Sequence, residues 1–160
     1  MSLFVDDYEN LKYQPTNDDW YTPPEVFETM GVNFDLDVCA PFGGVPWIPA
    51  KKYYTLIDDC LSVEWVGNVW MNPPFSNPGP FVDKWINHGH GICLVPCAKS
   101  SWFVRLWGAA DAVVIPDNLI SKFIVGTKRS SINYLICLCS IGSEENALAI
   151  SNLGSIRRKP

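Results

Sequence analysis

The stretch Val69-Trp70-Met71-Asn72-Pro73-Pro74-Phe75 decides the reading of this chain. Residues Gly67 to Met71 read as a strand that is cut off at once by an asparagine and two prolines. Proline fixes its own φ and keeps the residue before it extended, so the pair forces a rigid turn at the strand's C-terminal end. In an open α/β sheet, that edge is where ligands bind. Asn72 brings a side-chain carbonyl, the main-chain carbonyl of Pro73 opens into the same space, and Phe75 offers a flat face. Two acceptors beside a flat face suit one task, gripping an exocyclic amine on a stacked heterocycle. Each acceptor takes one N–H, and the nitrogen lone pair is left pointing at an electrophile. If the electrophile is a methyl sulfonium, the amine needs no prior deprotonation and positioning does most of the catalysis. A plain Asn-Pro-Pro turn with a core phenylalanine is the bland alternative; the strand ahead of it and the partners below weigh against that.

Outward from this turn, apolar strands alternate with helical segments. Residues 19–30 read as a helix start, with Thr22 as cap, Pro23 and Pro24 in the first turn, and Gly31 as the stop. Asn33 to Cys39 is strand-like and runs into a loop rich in glycine and proline; residues 52–57 are a short strand or an irregular segment. Downstream come a helix over Pro80 to His88 with Phe81 and Trp85 inward, a continuous apolar strand over Gly91 to Pro96, an amphipathic helix over Ser100 to Gly108 and a strand over Asp111 to Ile115. Lys122 to Val125 and Ile132 to Cys139 read as a closing hairpin around Gly126-Thr127-Lys128-Arg129-Ser130-Ser131. The pattern predicts an α/β domain: a mostly parallel sheet with helices on both faces and an antiparallel C-terminal hairpin. Residues 1–18 read as a flexible N-terminal arm, 19–150 as a single domain, and 151–160, ending in Arg157-Arg158-Lys159-Pro160, as a tail.

Composition narrows the function. The 160 residues are 48% apolar and 18% charged, enough apolar side chain for one real core and against wholesale disorder. Twelve Lys and Arg against seventeen Asp and Glu give a net charge of −5, which excludes capture of nucleic acid by bulk positive charge. A nucleic-acid contact would need a local patch or a specific pocket. Lys128-Arg129, at the expected hairpin tip, could reach phosphates or could be a solvated turn. No stretch approaches the ~20 apolar residues of a membrane span, and Met1-Ser2-Leu3-Phe4 lacks a signal's basic start, so no membrane association is expected. The six cysteines, several inside apolar runs, read as reduced core residues of a cytoplasmic protein. His88, His90, Cys93 and Cys97 do not follow zinc spacing, so no metal is expected.

Several stretches in order carry a resemblance: Asp19-Trp20-Tyr21-Thr22-Pro23; Phe34-Asp35-Leu36-Asp37-Val38-Cys39-Ala40; Asp59-Cys60-Leu61 with Trp65; and Asn72-Pro73-Pro74-Phe75. Leu94-Val95-Pro96 and Ser131 ahead of an apolar strand follow. From Asp19 to about Leu138 the chain resembles the bacteriophage-type DNA N6-adenine methyltransferases, which use S-adenosylmethionine. The resemblance implies a Rossmann-like methyltransferase fold and methyl transfer to the adenine N6 amine of DNA, the base being flipped into a pocket made by Asn72, Pro73, Pro74 and Phe75. It implies Asp37 and Ala40 beside the cofactor, and a carboxylate at Asp59, with Leu61 next to it, that accepts from the cofactor's adenine amine. Asp58 is adjacent and could be the inward one. Trp20, Thr22 and Pro23 would belong to a segment closing over the cofactor, where a hydroxyl and backbone N–H groups suit a carboxylate. The usual glycine-rich cofactor loop is not evident, and Ala40-Pro41-Phe42-Gly43-Gly44 would serve in its place. A phage origin would set the work in the bacterial host's cytoplasm.

No residues are left over for a separate recognition domain. DNA specificity is therefore expected from loops 41–53, 76–80 and 117–131, or from a homodimer or partner protein. The same turn also serves cytosine N4 and glutamine-amide methylation. A non-catalytic nucleic-acid-binding or interaction protein with a decayed methyltransferase fold is the rival from another class. The acidic balance and missing glycine loop favour it, and the intact Asn-Pro-Pro-Phe opposes it.

Overall fold

Apolar runs too short to bury themselves alone are joined edge to edge in this protein, and the joining order differs from the chain order. The computed structural model describes residues 20–117, 122–125, 128–131 and 134–160. In chain order its elements are α1 (Pro24–Met30), β1 (Phe34–Asp37), β2 (Ala50–Tyr53), β3 (Val69–Met71), α2 (Gly79–His88), β4 (Gly91–Pro96), α3 (Ser101–Ala109), β5 (Ala112–Pro116), β6 (Lys122–Val125), β7 (Lys128–Ser131), β8 (Ile136–Ile141), α4 (Glu144–Ser151) and β9 (Gly154–Arg158). A single 3₁₀ turn, Leu56–Asp58, follows β2.

Seven strands form one sheet in the order β2-β1-β3-β4-β8-β5-β9. The pairs β1–β2, β1–β3 and β3–β4 are parallel, whereas β4–β8, β5–β8 and β5–β9 are antiparallel. The fold is α/β with a mixed sheet. Successive strand residues point to opposite faces, and the core splits accordingly. Trp70, Ile92, Leu94, Val114 and Leu138 pack beneath Val26, Phe27 and Met30 of α1 and Ala147 and Ile150 of α4. Val69, Met71, Cys93, Val95 and Cys137 pack beneath Val82 and Trp85 of α2 and Leu106 of α3. All six cysteines are free thiols.

Three expectations need correction. The hairpin is β6 with β7, a separate two-stranded sheet in register Lys122↔Ser131 to Val125↔Lys128. The apolar run expected as its second arm is instead β8, buried between β4 and β5. A strand apolar on both faces is stable only inside a covered sheet, and the gap between β4 and β5 is such a place. The expected tail holds β9, which pairs with β5 along its whole length. Its exposed edge is blunted by Arg158, whose guanidinium grips Glu144 through two hydrogen bonds of 2.9 Å. Finally, Thr22 does not cap a helix. α1 begins at Pro24 with Pro23 at its N-cap and no side-chain cap, although Gly31 closes it in the left-handed conformation as expected. The N-terminal arm with Asp19, and Gly126, Thr127 and Ile132 of the hairpin reading, lie outside the described residues, as do the side chains of Lys128 and Arg129.

Candidate active site

β1 and β3 are parallel neighbours, with Asp37 opposite Trp70. Their C-terminal ends therefore deliver Asp37 and Asn72 to the same edge of the sheet. A cavity of about 300 Å³ opens there. Seven of the expected residues line it: Trp20, Thr22, Asp37, Ala40, Asp59, Asn72 and Pro74. Pro23, Leu61, Pro73 and Phe75 are not in its wall. Pro73 is buried, and Phe75 is half-buried with its ring edge-on to Tyr134, the centroids 5.8 Å apart at 89°.

The segment ahead of α1 forms one side of this cavity. Tyr21 exchanges two main-chain hydrogen bonds of 2.9 Å with Ile124 of β6. The Thr22 carbonyl accepts from Trp47 Nε1 at 2.8 Å. Held in this way, the segment fixes Asn72. Asn72 Nδ2 donates to the Trp20 carbonyl at 3.0 Å and lies 3.5 Å from Thr22 Oγ1. Both contacts use the amide nitrogen, and among the described residues none donates to Oδ1. The indole N–H of Trp20 is buried at the cavity without a hydrogen-bond partner among the described residues.

The opposite wall is acidic. Asp37 is 3% exposed, and its carboxylate accepts one hydrogen bond, from the Cys39 N–H at 3.3 Å. Burial pushes its pKa up to about 7, against the single bond from Cys39, which lowers it. No ion pair to it occurs among the described residues. Asp59 stands in a left-handed backbone conformation, φ 49°, uncommon outside glycine. Its Oδ2 accepts from Ser62 Oγ at 2.6 Å. Asp58 turns away to its own loop, accepting from the Thr55 N–H at 2.8 Å and approaching Thr55 Oγ1 at 3.3 Å. Of the acidic pair, Asp59 lines the cavity and Asp58 does not.

Two thiols that the sequence reading left in the core are also in the wall. Cys39 and Cys60 stand 3.9 Å apart, Sγ to Sγ. Their mutual hydrogen bond, aided by the Lys84 ammonium, holds Cys60 below the usual thiol range and lifts Cys39 well above it. Their adjacency to Asp37 and Asp59 in sequence was the available signal. Phe42, 52% exposed on the glycine-rich loop, and Phe81 of α2 complete the wall. Phe81 read as a core-facing helix residue, and nothing in its spacing marks it as cavity lining.

The sequence model of the family "DNA N-6-adenine-methyltransferase (Dam)" matches residues 10–136. The chain belongs to this family. The Dam match contains every residue that lines the cavity. A DNA N-6-adenine-methyltransferase of Haemophilus phage HP1 (strain HP1c1) is 40% identical over 116 residues, covering 66% of this chain and 65% of the relative. A second Dam relative, a DNA N-6-adenine-methyltransferase of Escherichia phage T1, is 29% identical over 161 residues, covering 91% of this chain and 66% of the relative. The chain spans just under two thirds of the length of these curated relatives. Among the described residues, no helix is long and apolar enough to cross a membrane.

Proposed function

We propose that this Dam-family chain transfers a methyl group from S-adenosylmethionine to the N6 amine of adenine in DNA, with the cavity as the cofactor site and the Asn72–Phe75 turn as the acceptor site. The observation that carries this reading is the state of Asn72. Its amide nitrogen is anchored on the Trp20 carbonyl at 3.0 Å, so its oxygen is held at the cavity as a pre-aimed acceptor. The two phage relatives, both DNA N-6-adenine-methyltransferases by name, support the same acceptor. Strand directions support a Rossmann-like arrangement, since β5 runs with β1–β4 and only β8 and β9 run against them.

The residues fit the cofactor chemically. A buried carboxylate with no cation beside it, Asp37, suits a ligand that carries positive charge. An orphaned indole N–H, that of Trp20, suits a ligand acceptor such as a carboxylate. Thr22 adds a hydroxyl beside it, Asp59 offers an acceptor to an exocyclic amine, and Ala40 leaves room at the end of β1. Pro23 and Leu61 would frame the site from outside the wall. When bound, the cofactor supplies a methyl group on a sulfonium.

The protein's share of the reaction is positional. Asn72 Oδ1 and the Pro73 carbonyl accept the two N–H bonds of the amine and aim its lone pair. Pro74 keeps the turn rigid. Phe75 stacks on a base that has left the duplex, since the amine is out of reach while paired. The amine proton departs after transfer, so no general base is required.

The test is calorimetric titration with S-adenosylmethionine followed by transfer of labelled methyl to unmethylated DNA and nucleoside analysis. N6-methyladenine as the labelled product is expected. Labelled N4-methylcytosine, or label in protein amide, would move the acceptor. Absence of both binding and transfer would leave a non-catalytic Dam-fold protein.

A further inference from the structure

Lys84 lies on α2, outside the cavity wall, and the chemistry above gives it no task. Its half-buried ammonium donates to the main-chain carbonyls of Cys60 at 3.0 Å and Leu61 at 3.0 Å, and also to that of Val63. It also stands 5.1 Å from the centroid of the Trp65 ring. An ammonium has three N–H donors, and these three carbonyls take them all. The Cys60 carbonyl is braced a second time by Trp65 Nε1 at 2.8 Å.

Three carbonyls from one short turn converge on this point. Their negative ends repel one another, and the turn opens at Asp59, whose left-handed backbone is costly for a residue with a Cβ. Ser62 closes the turn, its N–H donating to the Asp59 carbonyl at 2.8 Å and its Oγ to Asp59 Oδ2 at 2.6 Å, but neither bond engages the three carbonyls. A cation at the focus converts the repulsion into attraction. Lys84 supplies the cation from the helix that follows the Asn72–Phe75 turn, so one rigid element ties the acceptor side of the site to the turn that carries Asp59.

We propose that Lys84 is a positioning residue for the cofactor. By gathering the Cys60, Leu61 and Val63 carbonyls it holds the 59–63 turn in the form that presents Asp59 to the cavity. This rests on reading the cavity as the cofactor site. Lys84 is not itself in the cavity wall, reaches it only through the 59–63 turn and does not touch the acceptor turn, so it governs cofactor affinity and leaves the methyl-transfer step alone.

The test compares wild type, Lys84→Met and Lys84→Arg. Methionine keeps the apolar stem and drops the charge. Arginine keeps the charge, but its planar fork cannot converge on three carbonyls as an ammonium does. Lys84→Met should bind S-adenosylmethionine at least tenfold more weakly by titration, raise its KM in proportion, and keep kcat within about twofold at saturation. Lys84→Arg should recover part of the affinity. Hydrogen exchange on the free protein gives a readout that needs neither cofactor nor activity. In Lys84→Met, the peptide spanning 58–64 should exchange faster, including the Ser62 N–H that donates to the Asp59 carbonyl at 2.8 Å, while β4 and β8 keep wild-type protection. Unchanged affinity in Lys84→Met overturns the proposal. So does faster exchange in β4 and β8 alongside the turn, which would make Lys84 a general stability residue. Should Lys84→Met not fold, Lys84→Arg decides by the same two measurements, wild-type affinity with wild-type exchange counting against the proposal. If wild type itself fails to bind S-adenosylmethionine, the cofactor reading falls, and the exchange result still decides whether Lys84 holds the turn.

Discussion

Asp35 and Asp37 stand two residues apart on one strand, yet they live under opposite rules. Asp35 serves the N-terminal edge of the parallel strands. Its Oδ2 accepts from the Asn68 N–H at 2.8 Å, its Oδ1 meets Lys51 Nζ at 3.3 Å, and these partners hold its carboxyl below the usual range. Beside it lies a network of paired amides. Asn68 and the buried Asn146 exchange two side-chain hydrogen bonds of 2.7 and 3.3 Å, Asn68 also donates to the Asn33 carbonyl at 3.0 Å, and His88 Nε2 meets the Gly67 carbonyl at 2.7 Å. Gly67, at φ 76°, is glycine because a Cβ there would strike the Asp35 carboxylate. Asp37 serves the other edge, where it is buried with one long hydrogen bond, near an orphaned Trp20 N–H and an Asn72 oxygen without a described donor. The network around Asp35 is satisfied and locks the strands together, although the buried Trp85 Nε1 and Ser140 Oγ at that edge have no partner among the described residues. The other edge opens its unmet groups into a cavity, and those are what a ligand can satisfy.

Asp37→Asn is the sharpest way to break this contrast. The folded Asp37 holds its proton up to about pH 7, against an ordinary value of 3.8. The folded state thus binds that proton more tightly than the unfolded chain. The Asp37 contribution should therefore be fully present below about pH 4, fall between about 4 and 7, and level off above 7. The span is on the order of 4 kcal/mol at ~1.4 kcal/mol per pKa unit. Denaturant melts against pH should show the slope in wild type and lose it in Asp37→Asn, leaving the variant more stable at pH 8. The same variant should bind S-adenosylmethionine ~10- to 100-fold more weakly, for loss of ~1.5–3 kcal/mol in a charge-assisted contact. Lower stability of Asp37→Asn at pH 8 would mean that Asp37 is already well partnered.

Asn72→Ala comes next. Removing one pre-aimed polar group should cut methyl transfer by about 10²-fold, roughly 3 kcal/mol in the barrier. Cofactor affinity by titration and the melting midpoint should stay near wild type. A variant as fast as wild type would strip the turn of its role.

In the Asp35 network the signs reverse. Asn146→Ala leaves the Asn68 side-chain carbonyl without its Asn146 donor and should cost about 1–3 kcal/mol in urea melts, with kcat unchanged. A kcat that falls with it would blur the division between the two edges. The smallest effect is expected at Asp35→Asn, which loses the exposed pairing with Lys51 and keeps an acceptor for Asn68. Its unfolding free energy in urea melts should change by less than about 1 kcal/mol.

The contrast also explains what the sequence disclosed. The Asn-Pro-Pro turn was legible because proline forces backbone shape locally, and β1, β3 and β4 because each stands between helices or turn formers. β8 was not assignable to its neighbours. Its residues Ile136–Ile141 are apolar or small throughout, and a run without alternation does not reveal which strands flank it. β9 was hidden for the opposite reason. Ser155, Arg157 and Arg158 look like a solvated tail, yet an edge strand needs only one partner and its side chains can be polar. In the site, acids beside strand ends were visible, whereas Thr22 was read both as a cap and as a cavity residue, because the two tasks use the same residue type, and only the cap failed. Phe81 enters the cavity from a helix whose spacing does not mark it.

The placement of β5 has a consequence in time. Both of its ladders are made with strands that come later in the chain, Val113 with Cys139 and Val114 with Ile156. The open side of β4 likewise waits for β8. As the polypeptide is synthesised, β2, β1, β3 and β4 can assemble first, and that half-sheet ends on an apolar strand with bare N–H and C=O groups. Pairing across such sequence distances is slow, and an unpaired apolar edge invites other chains. Pulse-labelled hydrogen exchange during refolding should find β5 protected last, together with β8 and β9, so the chain's aggregation hazard falls in the interval before residues 136–158 arrive.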